Sequence, residues 1–71
     1  MTGYAVIIEG EAGSYSAYAP DLPGCVAAGQ TREEVEALMA EAIPLHVESL
    51  RAHGEAVPAP SAVAATIVQV A

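Results

Sequence analysis

The chain contains no lysine, no phenylalanine and no tryptophan, and it has one cysteine. Each shortage removes a class of function. A single cysteine excludes an internal disulfide. With only two histidines beside it, it makes a poor ligand set for a metal that needs three or four donors. Two arginines against nine acids leave a formal net charge of −7. Phosphate backbones are held by Lys and Arg that displace counterions, so direct nucleic-acid binding is not expected and a basic protein partner fits better. Acidity by itself also keeps a small protein dispersed. The sequence lacks G-x-G-x-x-G and G-K-[ST] loops, so no nucleotide and no other cofactor is expected. No apolar run is long enough for a bilayer, and no basic segment precedes an apolar one in the manner of a signal peptide. A lone cysteine suits a reducing compartment, so the expected location is the cytoplasm.

What is present is one small domain, residues 1–71. Its 54 % hydrophobic content is far above that of a disordered chain. Much of it is alanine, however, and a chain of 71 residues barely offsets the entropy of ordering its backbone. With neither disulfide nor metal, self-association as a dimer or tetramer is the expected source of stability.

Along the chain, "YAVIIE" (4–9) is rich in β-branched residues with apolar side chains on both faces, the pattern of a central strand. "GEAG" (10–13) is turn material, and "SYSAYA" (14–19) alternates as the returning arm of a hairpin. "PDLPGC" (20–25) follows. Pro20, Asp21, Pro23 and Gly24 read as a shape-setting bend. Pro23-Gly24 suits the centre of a type II turn, and Asp21 can accept from backbone N–H groups just after it. "CVAAG" (25–29) is a short third strand. Thr31 and Glu34 form a capping box that opens a helix running to about His53, with Gly54 as its stop. Val35, Leu38, Met39, Ala42, Leu45, His46, Ser49, Leu50 and His53 are expected to share its apolar stripe. Pro44 lies within it and is expected to bend it. "EAVPAPS" (55–61) reads as a proline-stiffened tether, and "ATIVQV" (65–70) as a last strand reached by a crossover and therefore parallel to an earlier one. The expected fold class is α+β with order β-β-β-α-β: one mixed sheet with a single helix across one face. The other face has no cover within the chain, which leaves Ile7 exposed in a monomer.

Candidate chemistry is sparse. Cys25 with His46 or His53 has the residue types of a thiolate and its base, but nothing in the spacing brings them together. A buried structural cysteine is the simpler reading. His46 and His53 are seven apart, wider than the i, i+4 pair of zinc helices. Glu9 and Asp21 are imaginable as metal-binding carboxylates of a hydrolase, yet no ligand cluster of adequate number accompanies them. No catalytic residue is assigned. The helix glutamates are either a solvated face or a docking surface for a basic protein.

Three stretches together resemble the HicB family, the antitoxins of HicA–HicB pairs: "YAPDLPGCVAAG" (18–29), "TREEVEALMAEAIPLHVESL" (31–50) and "GEAVPAPS" (54–61). The likeness runs from about Tyr4 to Val70. It implies a sheet-and-helix domain similar to a partial ribonuclease H fold, without catalytic activity, that binds and blocks a small basic RNA-cleaving toxin. Many members add a C-terminal DNA-binding module. This chain stops at Ala71, so the resemblance implies the toxin-neutralising part alone. Partner-contact residues expected from acidity are Glu9, Asp21, Glu41 and Glu48. The rival readings are a homo-oligomer of this family without a toxin, and a degenerate hydrolase using Glu9 and Asp21.

Overall fold

A computed structural model describes residues 3–70. The fold is α+β: strands β1 (Ile7–Glu11), β2 (Ser14–Tyr18) and β3 (Val26–Gly29), then helix α1 (Arg32–Ala52). The strands pair in the order β1-β2-β3, all antiparallel. Ile8 faces Ala17 and Tyr15 faces Gly29 across the ladders. These residues alternate with outward-facing neighbours, because successive strand side chains point to opposite faces. The helix lies on the Ala17 face, packed mainly over β3 and β2.

The loop after β2 is built from two consecutive tight turns. Leu22 N–H donates to Ala19 O (3.0 Å) and Cys25 N–H donates to Leu22 O (3.0 Å). Gly24 has φ +85°, the value that the third position of a type II turn demands. Ala19 N–H closes the loop onto Cys25 O at 3.2 Å. The effect is to throw Leu22, fully buried, into the core. The core is small: Ala17, Ala19, Leu22, Cys25, Val35 and Met39.

The helix starts with the first half of its expected capping box. Thr31 is extended (φ −128°, ψ 158°), and its Oγ1 accepts from Glu34 N–H at 3.1 Å. Glu34 Oε2 reaches back to accept from Gln30 N–H at 3.3 Å, one residue before the cap. At the far end His53 caps the helix and Gly54 takes φ +69°. Pro44 sits inside one unbroken helix.

Four sequence-based expectations are corrected. Residues 65–70 do not form a strand, so the sheet is antiparallel rather than mixed, and no parallel crossover completes a ribonuclease H-like arrangement among the described residues. A strand needs a neighbour, and the tether delivers this segment away from every strand edge of its own chain. β1 is an edge strand rather than a central one. It also begins at Ile7, not Tyr4, and runs on to Glu11. Finally, the buried stripe of α1 is Val35 and Met39, with Ala42, Ile43, His46, Val47 and Leu50 half-buried. Leu38 and Leu45 are exposed, because a narrow three-stranded sheet covers only one side of the stripe.

Candidate partner-binding site

The helix places its residues every 100°, so positions spaced 4, 3, 4, 3 share a line along its surface. Glu34, Leu38, Glu41, Leu45 and Glu48 are such a line, and all five are exposed. They lie on the flank of α1 above β3, where Glu34 packs against Gly29. Leu45 is 64 % exposed. A helix face of alternating acid and leucine has apolar area to desolvate and charge to attract a cation. Glu41 and Glu48 form no ion pair among the described residues; the ion pair there joins Arg32 and Glu36 (3.4 Å), one turn apart elsewhere on the helix.

The other expected contact residues are placed apart from this line. Glu9 is exposed on the sheet face opposite the helix. Its neighbours there form a row across all three strands: half-buried Ile7 faces Tyr18, which faces Val26, the last 66 % exposed. This face is uncovered, and Ile7 is half-buried rather than fully exposed. Asp21 is engaged. Its carboxylate accepts from Ser61 Oγ–H (2.5 Å) and Ser61 N–H (3.0 Å), so it clamps the tether to the turn after β2. These bonds, the hydroxyl's first and the amide's second, hold its carboxyl below the usual carboxylate value. Tyr4 makes a second clamp by donating its hydroxyl to Pro58 O. Asp21 and Glu9 are thus not a paired site: one faces the tether, the other the open sheet face.

Cys25 is 3 % exposed. Burial pushes its thiol pKa up, which disfavours the thiolate a nucleophile needs. His53 Nδ1 lies 2.7 Å from Ser49 O, within its own helix end. Among the described residues, no three of His, Cys, Asp and Glu are grouped to hold a metal ion. No described helix is long and apolar enough to cross a membrane.

Acidity alone directed the sequence reading to Glu41 and Glu48. It missed Leu38 and Leu45, which that reading assigned to the core. The 4, 3, 4 spacing of Glu and Leu was legible, but only the width of the sheet decides which flank it covers. Ser61 as the partner of Asp21 had no local signal, since the two are 40 residues apart.

Comparison with known proteins shows the family. A family model described as a HicB-like antitoxin of bacterial toxin–antitoxin systems matches residues 4–71. A UPF0150 protein of Thermoplasma acidophilum is 40 % identical over 65 residues, covering 90 % of this chain and 94 % of its own length. A UPF0150 protein of Synechocystis is 45 % identical over 56 residues, covering 78 % of this chain and 71 % of its own. No solved structure matches at a significant level. On this evidence the chain belongs to the HicB-like antitoxin family.

Proposed function

We propose that the chain neutralises a small basic RNA-cleaving toxin of the HicA type, acting in the cytoplasm by covering the toxin rather than by catalysis. The observation that carries this reading is the exposed Glu–Leu line on α1 in a member of an antitoxin family. Leu38 and Leu45 supply the apolar centre of the contact, and Glu41 and Glu48 supply its charge. Glu9, on the open sheet face, supplies acidic attraction at longer range. Asp21, the fourth acid, serves the contact by holding the tether in place. A net charge of −7 speeds encounter with a basic partner and disfavours direct nucleic-acid binding. Self-association as a dimer or tetramer belongs to the same reading. A six-residue buried core is slight, and apolar residues remain uncovered on the sheet face and after the tether.

The test is co-expression with a HicA-type toxin encoded beside the gene, followed by an RNA-cleavage assay on the purified pair. The wild-type chain is expected to form a stoichiometric complex and to suppress cleavage. A Leu38→Asp/Leu45→Asp variant that keeps its helical circular dichroism is expected to lose both. Absence of any complex with the wild-type chain would overturn the reading. Unchanged protection by the double variant would remove the helix line from it.

A further inference from the structure

Residues 62–70 carry five β-branched side chains in nine positions, no charge and no proline. In the folded chain they touch little: Ile67 is 87 % and Val70 90 % exposed, and Val63 is fully exposed. The root of this arm is fixed, because Ser61 is held by Asp21 and Pro58 by Tyr4. From that root the arm leaves the body. The radius of gyration is 13.4 Å, against about 11 Å for a compact chain of this length.

The same molecule has a vacancy of matching kind. β1 is an edge strand, yet its first two residues, Ile7 and Ile8, with Val6 just before them, put apolar side chains on both faces, as in a strand covered on both sides, before the exposed Glu9 and Glu11. Between β1 and the helix lies an open groove of about 330 Å³, floored by Val6, Ile8, Met39 and Ile43. The groove exists because α1 sits over β2 and β3 and leaves β1 uncovered. Its charged rim, Arg32 and Glu36, is an internally neutral pair, so it neither attracts nor repels an uncharged strand.

We propose that residues 62–70 of one protomer pair with the free edge of β1 in a second copy, and that the two copies exchange arms reciprocally. The arm is β-branched on both faces, Val63 and Ile67 on one and Thr66, Val68 and Val70 on the other. One face enters the groove beside Met39 and Ile43; the other extends the open sheet face beside Ile7. A strand added at an edge satisfies main-chain groups by its ladder and apolar groups by its faces. Reciprocal exchange buries two arms per dimer and blunts two edges that would otherwise template aggregation. A second copy is the occupant, rather than a basic toxin, because the arm is itself an apolar, strand-forming segment without a neighbour in its own chain, and the groove floor it would meet is apolar. Of the charges near this contact, Arg32 and Glu36 are paired with each other, and Glu9 and Glu11 lie on the open, solvent-facing side of β1.

This inference rests on the self-association reading and is independent of any toxin. The test mixes equal amounts of ¹³C-labelled and unlabelled full chain after joint unfolding and refolding. Isotope-filtered NOE spectra are then recorded on a sample whose mass is measured by light scattering. Expected are a dimer, cross-molecule NOEs from the methyls of one arm face, either Val63 and Ile67 or Val68 and Val70, to Val6, Ile8 and Met39, and NOEs from the other face to Ile7. An Ile67→Asp/Val68→Asp variant changes only side chains exposed in the single chain. It is expected to keep its circular dichroism and to fall to monomer mass. A dimer whose arm shows contacts only within its own molecule, or none, would overturn the exchange while leaving self-association standing. A wild-type chain that is monomeric at 100-fold dilution and at NMR concentration alike would overturn both.

Discussion

Leu22 shows how much a single side chain carries in so small a core. It sits in a loop between two prolines, yet it is among the three largest fully buried side chains. Leu22→Ala removes a fully enclosed side chain, for which losses of about 2–5 kcal/mol are usual. At about 0.05–0.15 kcal/mol per residue, a chain of 71 residues holds about 4–11 kcal/mol in total, so this loss is a large share of it. Thermal melting followed by circular dichroism is expected to show a broad transition at much lower temperature, or none. The Asp21 clamp on Ser61 gives a second residue-scale prediction. Folding lowers the Asp21 pKa from its ordinary 3.8, so its contribution to stability is complete above that value. It is lost as pH falls through the lower folded value. Amide-exchange protection at Ser61, corrected for intrinsic rates, is expected to be flat above pH 4 and to collapse below it. In Asp21→Asn it should be weak and independent of pH over the same range. Protection that stays constant into strong acid would show that the clamp is not what holds the tether.

Among the elements, α1 meets its end rules and breaks its interior rule. Thr31, Glu34 and Gly54 occupy cap positions with the backbone angles those residues favour. Pro44 lies mid-helix and exposed, where it removes the N–H that would donate to Ala40. Nothing in the structure gives Pro44 a packing role that would repay this. Pro44→Ala is expected to raise the melting temperature, with a gain of up to about 3 kcal/mol, the usual cost of an interior proline. A lower melting temperature would mean that Pro44 sets a helix shape on which the packing of His46 and Val47 depends. β1 presents the opposite case. Its local pattern belongs to a strand with two neighbours, and the chain supplies one.

For the whole molecule, charge and apolar surface are arranged separately. The acids of the helix line and of the sheet face point outward, while the arm is uncharged and the groove carries one mutually paired Arg32 and Glu36 at its rim. The proposed basic partner would meet the helix line, and the proposed second copy the β1 edge. Association with a basic toxin is expected to slow as salt rises from 50 to 500 mM, because steering is screened beyond about a Debye length, ~10 Å at 0.1 M. Dimerisation through the arm is expected not to weaken over the same change, since burial of apolar surface drives it and salt screens the repulsion between two acidic copies. Stopped-flow association rates and sedimentation over that salt range check both. A salt-independent toxin on-rate would dismiss the acidic surface as a steering device.

Local chemistry alone determined the hairpin, the PDLPGC turn, the third strand and both helix ends. Each depends on residues close in sequence: alternation over five positions, proline and glycine at fixed turn positions, a hydroxyl three residues before a glutamate. The family was legible for the same reason, since its recognisable stretches are these turn and cap segments. Tertiary structure decided what local pattern cannot. Whether a β-branched run becomes a strand depends on whether an edge lies within its reach, and residues 62–70, rooted at Pro58 and Ser61, pair with no strand of their own chain. Which leucines of an amphipathic helix are buried depends on the width of the sheet beneath it, and three short strands leave Leu38 and Leu45 in solvent.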